Sequence, residues 1–126
     1  MLGAIAGDVI GSFYEHHPIK ITEFPLFHEH SCFTDDSVMT VAVANAILEN
    51  VNYGVSMKDF GGKFPNAGYG GSFYEWIFEP NIQPYNSWGN GSAMRVSPVG
   101  FAFDTSKTFC TKPKVAQKCH TITWKE

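Results

Sequence analysis

The sequence predicts an all-α protein, and three observations carry that prediction. Glycines recur at helical spacing near the start of the chain, at positions 3, 7 and 11. The polar corner Thr34-Asp35-Asp36 stands directly before the apolar run Val41–Leu48, which is the pattern of a capped helix. Further along, two turns rich in glycine, asparagine and serine each lead into a short apolar segment, as turns that open helices do.

The first predicted helix covers residues 1–15, and its three glycines share one face. Each glycine costs a helix roughly 1 kcal/mol relative to alanine, so we expect a second helix or a ligand to approach that face closely. Beside the glycines, Asp8, Ser12 and Glu15 follow one another at helical spacing. This stripe is either a solvated acidic face or one wall of a cleft. The apolar residues around it leave little of the helix to face water.

A long loop is predicted over residues 16–33, because Pro18 disfavours helix at the residue before it. A loop of this length inside a compact domain is often functional, for example as a lid. His28, His30 and Cys32 alternate along it, so in an extended segment they would point the same way. A zinc site is the alternative interpretation of these three residues, but a closed site needs a fourth ligand and none is spaced for it.

The central helix is predicted to begin at Thr34, with Thr34 as its cap, and to end near Glu49. Asp35 and Asp36 then occupy its first turn, where the helix dipole stabilises each carboxylate by about 0.3–1 kcal/mol. A hydroxyl and two carboxylates are also the hard oxygen donors that Mg²⁺ or Mn²⁺ prefers. The alternative is an ordinary acidic helix start. Apolar residues lie on nearly all sides of this helix, which is typical of a helix at the centre of a domain.

The elements predicted after Glu49 are shorter. Gly54 is expected to end the preceding segment, and Ser56–Phe60 forms a short helix that Gly61-Gly62 breaks. Ser72 is the predicted cap of a helix over Phe73–Phe78. Residues beyond 105 hold five of the chain's nine basic residues and predict at most a weak terminal helix.

Two glycine-rich turns, Gly68–Gly71 and Gly89–Ser92, each precede a predicted helix. Backbone N–H groups at such a turn can hold an anion, although an ordinary capped turn is the alternative for each. Arg95 follows the second turn by one helical turn. Two anion-binding turns and one arginine suit a diphosphate better than a single phosphate.

Composition excludes several classes of function. The formal charge of −3 and the pI near 5.9 argue against a nucleic-acid partner, which a basic surface would bind. No apolar run is long enough to span a membrane, and no basic residue precedes Lys20 as a secretory signal would require. The three cysteines form no CxxC pair, which favours reduced thiols and a cytoplasmic protein.

Taken together, the motifs resemble those of the ADP-ribosylglycohydrolase family, which removes ADP-ribose from modified side chains or related acceptors. The matching segments, in chain order, are Gly3–Asp8 with Gly11–Glu15, Phe33–Ser37, Gly68–Gly71, and Gly89–Pro98. Four motifs in the right order over residues 1–105 make a specific signal, whereas each alone is weak.

The resemblance implies an all-α helical bundle with a binuclear Mg²⁺ site, sometimes Mn²⁺, and metal-assisted hydrolysis of an N- or O-glycosidic bond. It implies that Thr34, Asp35 and Asp36 are metal ligands. Glu15 would match the family's mobile-loop glutamate, which controls substrate entry, and Asp8 would lie in the same cleft; with Asp35 they are the expected catalytic residues. The residues expected to bind ADP-ribose, or an ADP-ribosylated substrate, are Gly68, Tyr69, Gly70, Gly71, Gly89, Asn90, Gly91, Ser92 and Met94.

The sequence departs from the family pattern in one respect. Family members are usually more than twice as long, and their C-terminal half carries an Asp-x-Asp-[Thr/Ser] motif that is absent here. We therefore expect residues 1–126 to form a single partial domain, the N-terminal half of such an enzyme, with 1–105 family-like and 106–126 a divergent, weakly ordered tail.

If the chain is only this half, we expect it to be inactive by itself. It needs a complementing C-terminal chain, or it is a catalytically inactive fragment or an ADP-ribose-binding module. Uncovered apolar faces around Val41–Leu48 and Trp76 would then favour self-association.

Overall fold

The computed structural model describes residues 1–81, 83 and 87–103, and the regular elements within these ranges are all α-helices. This confirms the all-α prediction. In chain order the helices are α1 (Leu2–His16), α2 (Asp35–Leu48), α3 (Tyr53–Lys63), α4 (Gly71–Phe78), α5 (Gly91–Met94) and α6 (Ser97–Ala102). The tail predicted at 106–126 lies outside the described residues. None of the described helices is long and apolar enough to cross a membrane.

Helix α2 is the centre of the fold, as its all-round apolar pattern predicts. It packs against α3, α6, α1 and α5. The residues of α2 that are buried come from every side of it: Ser37, Val38, Met39, Thr40, Ala42, Val43, Ala44 and Ala46. Its start is Thr34, as predicted, and the Thr34 side chain accepts a hydrogen bond from the Asp36 N–H. Val41 and Leu48 are exposed, whereas Ala42, Val43, Ala44 and Ala46 between them are buried, so the predicted uncovered face of α2 is limited to those two side chains.

Helix α3 contradicts two predictions about glycine. Asn52 caps it by accepting hydrogen bonds from the N–H groups of Gly54 and Val55, so Gly54 lies in its first turn rather than ending a segment. The helix also continues through Gly61-Gly62. Gly61 is needed for packing, because a Cβ there would lie 2.7 Å from Cδ1 of Ile77 on α4.

Helix α4 follows Gly70, two residues before the predicted cap Ser72. Trp76 is only 3% exposed, so the expectation that it would be uncovered is wrong. The Lys58 ammonium lies 4.2 Å from the Trp76 ring and donates to the carbonyls of Trp76 and Glu79 at the end of α4. The buried indole and this lysine together fix α4 against α3.

Helix α1 meets the rest of the chain through a narrow stripe. Asp8 and Ser12 are its buried residues, while Leu2 is 84% exposed. No described atom lies within 4 Å of a Cβ built at Gly3, Gly7 or Gly11. Within the described residues no second helix approaches these glycines, and the expectation that little of α1 would face water is wrong; the approach of a ligand to this face stays a prediction.

Candidate functional site

The start of α2 is held in place by a side chain from α1. The Asp8 carboxylate accepts hydrogen bonds from the Thr34 N–H at 2.8 Å, the Thr34 hydroxyl at 2.5 Å and the Ser37 N–H at 3.1 Å. Backbone N–H groups in the first turn of a helix have no partner within the helix, so Asp8 supplies an acceptor that α2 cannot provide. Asp8 and Ser12 thus form the inner face of α1, and a solvated stripe is excluded for these two residues.

The loop before α4 is tied to the same corner. The Asp35 N–H donates to the Ala67 carbonyl at 2.8 Å. Gly68 follows with a φ of 97°, a left-handed conformation that glycine adopts without strain. A Cβ at Gly68 would lie 3.9 Å from Asp35 Oδ1. The first glycine turn is therefore placed beside the Asp35 carboxylate, as the motif pattern implies.

Like charges crowd this corner. Burial raises the pKa of Asp35 to about 6, and the charges of Asp36, Glu15 and Asp8 add to the rise, which its own backbone N–H partly offsets. Burial also raises the pKa of Asp36, with Asp8 and Glu15 adding to it and Arg95 opposing it. The Glu15 charge is therefore close enough to act on both Asp35 and Asp36.

A cavity of about 330 Å³ lies between this corner and both glycine turns. This volume is at the low end for small-ligand sites. Its lining includes six of the nine predicted substrate-binding residues: Gly70, Gly71, Gly89, Asn90, Gly91 and Met94. Asp35 lines it as well, whereas the other predicted ones, Gly68, Tyr69 and Ser92, lie outside the lining. The cavity thus brings together two motifs that are about twenty residues apart in the chain.

Sequence analysis missed two features of the cavity. Trp88 lies in its lining and is 92% exposed, an aromatic face presented beside the second glycine turn. The signal for it is its position directly before Gly89. Arg95, which the sequence grouped with the two turns as suited to a diphosphate, also lines the cavity, but its burial was not predicted: it is only 4% exposed.

Glu15 lies in the last turn of α1, in agreement with the helix predicted over residues 1–15, and it is exposed. Its match to the family's mobile-loop glutamate stays a prediction. The long loop after α1 is present as predicted and folds back onto that helix. The Phe13 and His28 rings stack with centroids 3.7 Å apart, and the Tyr14 hydroxyl donates to the Pro25 carbonyl at 2.7 Å. Glu15 thus lies where the loop leaves the helix.

The zinc alternative for His28, His30 and Cys32 finds no support. In the part of the chain that the structure describes, no three His, Cys, Asp or Glu side chains are placed to hold a metal ion. His28 Nδ1 is instead within hydrogen-bonding distance of the His30 N–H, at 3.2 Å. The start of α2 offers a different donor set, two carboxylates and the Thr34 hydroxyl.

These features, a helical domain in which the Asp35 carboxylate and two glycine turns share one cavity, agree with the comparison to known families. The chain belongs to the ADP-ribosylglycohydrolase family, whose model matches residues 1–123. The match extends past Thr105, where the family-like part was expected to end.

Among individual proteins, the chain is similar to three that carry the name ADP-ribosylhydrolase ARH3. It is 28% identical to the Xenopus tropicalis protein over 82% of this chain and 38% of that protein. It is 27% identical to the Homo sapiens protein over 83% of this chain and 39% of that protein. The Mus musculus protein is 26% identical over 83% of this chain and 38% of its own length. The chain therefore spans about two fifths of the length of the relatives it matches.

Proposed function

We propose that this chain supplies the ADP-ribose-binding part of a hydrolase that removes ADP-ribose from modified proteins or related acceptors. The observation that carries the proposal is the single cavity shared by Asp35 and both glycine turns. Backbone N–H groups at the turns suit the diphosphate, and the carboxylates at the other side suit ribose hydroxyls or a cation that binds them. The names of its relatives, all ADP-ribosylhydrolases, support the same substrate class.

A divalent cation fits the donor set at the start of α2. Asp35 and Asp36 provide hard oxygen ligands. Burial, and after it the like charges around them, raise their pKa values, and a bound cation would offset both effects. The Thr34 hydroxyl donates one hydrogen bond and accepts another, which leaves one lone pair for a metal. Mg²⁺ commonly takes only one or two carboxylates and completes its shell with water and substrate oxygens. When bound, it would orient the ribose hydroxyls and polarise a water molecule.

The three predicted catalytic carboxylates receive different roles in this proposal. Both oxygens of Asp8 already accept hydrogen bonds from the start of α2, so Asp8 positions Thr34 and the first turn. Asp35 lines the cavity and has a pKa raised to about 6, near the range a general base needs at neutral pH. Glu15 is exposed and lies within electrostatic reach of Asp35, which suits a group that meets an incoming substrate.

A second candidate is an ADP-ribose-binding module without catalysis. It is favoured by the small donor set, since no three His, Cys, Asp or Glu side chains of the described residues are placed to hold a metal ion and a two-metal mechanism uses more ligands. A complementing C-terminal chain, or self-association through the exposed apolar faces, belongs to the first candidate as the source of further ligands. Both candidates require the cavity to bind ADP-ribose.

Calorimetry with ADP-ribose, with and without Mg²⁺ and with Mn²⁺ as a second metal, tests the shared requirement. We expect binding that Mg²⁺ strengthens in the wild type and not in Asp36→Asn. Asp59→Asn, the same chemical change on the exposed side of α3, is the matched control and should bind as the wild type does. Absence of binding heat at millimolar protein would overturn both candidates.

Release of ADP-ribose from a modified protein then separates the two candidates. Metal-dependent release, by the chain alone or mixed with candidate C-terminal chains, is expected for the hydrolase. Tight binding without release under any of these combinations would leave the binding module.

A further inference from the structure

We propose that Tyr69 is a positioning residue of the cation site, with its hydroxyl holding a water molecule in the shell of a divalent cation bound at the start of α2. The inference deepens the proposed function and rests on it, because it requires a cation at Asp35 and Asp36. It also gives Tyr69 a role other than the one that the resemblance implies. Tyr69 is not in the lining of the cavity that would hold ADP-ribose.

The Tyr69 hydroxyl is a buried polar group without a hydrogen-bond partner among the described residues. Its ring packs against the hydrophobic core, with its centre 5.7 Å from that of the Phe73 ring on α4. A hydroxyl that is taken out of water without a partner costs folding free energy, and native structures contain few such groups. Phenylalanine would fill the same space without that cost, so the hydroxyl points to a partner that the folded chain acquires.

Asp35 is the charged group beside this hydroxyl. A Cβ at Gly68, the residue before Tyr69, would lie 3.9 Å from Asp35 Oδ1, and the Asp35 N–H donates to the Ala67 carbonyl. Burial raises the pKa of Tyr69 to about 12, and the charge of Asp35 adds to the rise. The carboxylate therefore acts on the phenol through space, although the two groups form no direct hydrogen bond. A water molecule that donates to both oxygens would join them.

A water molecule bound to a cation is suited to this place. Mg²⁺ commonly keeps several of its waters when one or two carboxylates bind it. Such a water directs its two hydrogens away from the metal, and the Tyr69 and Asp35 oxygens are both acceptors. Hydrogen bonds to the shell of a metal orient its ligands and strengthen its binding. Tyr69 would thus fix the shell on the side of the first glycine turn.

Ser37 provides a matched control for Tyr69. Its hydroxyl is also buried without a partner among the described residues, and Ser37 is 6% exposed. Two residues along a helix correspond to a rotation of about 200°, so Ser37 and Asp35 lie on opposite sides of α2. Ser37→Ala therefore removes an equally isolated hydroxyl that does not face Asp35.

The first test measures the binding of Mn²⁺ alone. Electron paramagnetic resonance of free Mn²⁺ gives the Kd for the wild type, Tyr69→Phe and Ser37→Ala. Tyr69→Phe should bind Mn²⁺ about tenfold more weakly, which is the lower end of the effect of removing an outer-shell partner. Ser37→Ala should bind as the wild type does. Equal affinity of Tyr69→Phe and the wild type, or an equal loss in both variants, would overturn the inference.

Thermal melting distinguishes a positioning role from a packing role. In EDTA, Tyr69→Phe should melt no lower than the wild type, because its hydroxyl has no partner to lose. In Mn²⁺ the wild type should gain more in melting temperature than Tyr69→Phe, because a ligand stabilises the folded state more when it binds more tightly. A lower melting temperature of Tyr69→Phe in EDTA, with the same gain from Mn²⁺, would show a packing role and contradict the proposal.

The Raman spectrum of the wild type gives a test that does not depend on the folding of a variant. The intensity ratio of the tyrosine doublet changes with the hydrogen bonding of the phenol. Saturating Mg²⁺ should change this ratio, because the Tyr69 hydroxyl then acquires a hydrogen bond. In folded Tyr69→Phe the change should be absent. An unchanged ratio in the wild type would count against the role of Tyr69.

The outcomes separate this inference from the proposed function. Mn²⁺ binding that depends on Tyr69, in a chain that does not bind ADP-ribose, would refute the proposed function and support the inference. ADP-ribose binding that Mg²⁺ strengthens equally in the wild type and Tyr69→Phe would refute the inference and leave the proposed function. A wild-type chain that binds ADP-ribose but no Mn²⁺ would also refute the inference while keeping the substrate class.

Discussion

Thr34 donates both its backbone N–H and its hydroxyl to the carboxylate of Asp8, although the two residues are 26 positions apart. This pair joins α1 to the start of α2 and fixes the turn that carries Asp35 and Asp36. The candidate site therefore depends on a helix that is otherwise largely exposed. The resemblance implied that Asp8 is a catalytic residue in the cleft. Its hydrogen bonds to the start of α2 indicate a positioning role instead.

The first prediction concerns this pair. Asp8→Asn keeps the shape of the side chain but replaces one acceptor oxygen with a donor, which then faces N–H or O–H groups of Thr34 or Ser37. We expect the free energy of unfolding to fall by about 2–3 kcal/mol, because buried donors lose a charged acceptor. Urea denaturation followed by circular dichroism measures the change.

Asp59→Asn is the matched control for Asp8→Asn. Asp59 forms an exposed pair with Lys63 at 2.6 Å, and pairs of this kind contribute about 0.3–0.5 kcal/mol. The control should therefore change stability by less than about 0.5 kcal/mol. Similar losses in the two variants would contradict a structural role for Asp8.

The second prediction is a pH dependence of stability that comes from Asp35. Its pKa is raised from 3.8 to about 6 in the folded chain, so the folded state holds the proton more tightly than the unfolded state. The stabilisation that the protonated Asp35 gives the folded chain is fully present below about pH 4 and is lost as the pH rises to about 6. Above that pH, stability no longer changes because of Asp35. After discounting for solvent screening, we expect the folded chain to lose about 1 kcal/mol across this window.

Asp35→Asn isolates that contribution, because it removes the ionising group and keeps the side-chain size. In EDTA the variant should be more stable than the wild type at pH 7 and equally stable at pH 4. Thermal melting at several pH values gives the comparison. Added Mg²⁺ should raise the melting temperature of the wild type alone. If the melting temperatures of the wild type and Asp35→Asn differ by the same amount at pH 4 and pH 7, the assignment of the pH dependence to Asp35 is refuted.

Local signals explain which elements the sequence could predict. The start of α2 depends on Thr34 and the two residues after it, so its cap was predictable from neighbours in the chain. The exposure of the α1 glycines depends on which elements pack there, which no local pattern contains. The helical position of Glu15 was predictable from the pattern of residues 1–15, whereas its electrostatic influence on Asp35 depends on how α1 packs against α2.

The candidate site also combines features that local sequence predicts with features that only packing determines. The two glycine turns and the acidic corner could be found as motifs, and order in the chain could link them to one family. Their shared cavity and the burial of Arg95 arise from packing of α3 against α2 and of α4 against α3, which the local sequence does not encode. The predicted break at Gly61-Gly62 was wrong because helix propensity costs only about 1 kcal/mol per glycine and tertiary packing overrides it.

The third prediction uses those two glycines as a matched pair. Gly61→Ala places a methyl group 2.7 Å from Cδ1, 3.0 Å from Cγ1 and 3.1 Å from Cγ2 of Ile77, which is buried. The clash should lower the free energy of unfolding by about 1–3 kcal/mol, as overpacking of a core usually does. Gly62→Ala meets nothing within 4 Å and should raise it by about 0.5–1 kcal/mol, because alanine favours the helix. Chemical denaturation of the two variants side by side gives both signs, and two changes of the same sign would be the wrong result.

The last prediction compares two lysines of α3. Lys58 donates to carbonyls at the end of α4 and lies over the Trp76 ring, whereas Lys63 pairs with Asp59 on the surface. Burial lowers the pKa of Lys58, but its charge still meets carbonyls that have no partner within α4. Lys58→Met should lower the free energy of unfolding by about 1–2 kcal/mol, because the charge-assisted hydrogen bonds and the cation–π contact are lost.

Lys63→Met should lower the free energy of unfolding by less than about 0.5 kcal/mol, because exposed ion pairs contribute little to stability. The two variants also differ in where they act, since Lys58 fixes the end of the helix whose start lines the cavity at Gly71. Hydrogen exchange should therefore show faster opening of α4 in Lys58→Met at unchanged protection of α2. Equal protection of α4 in both lysine variants would mean that Trp76 and Ile77 hold this helix without help from Lys58.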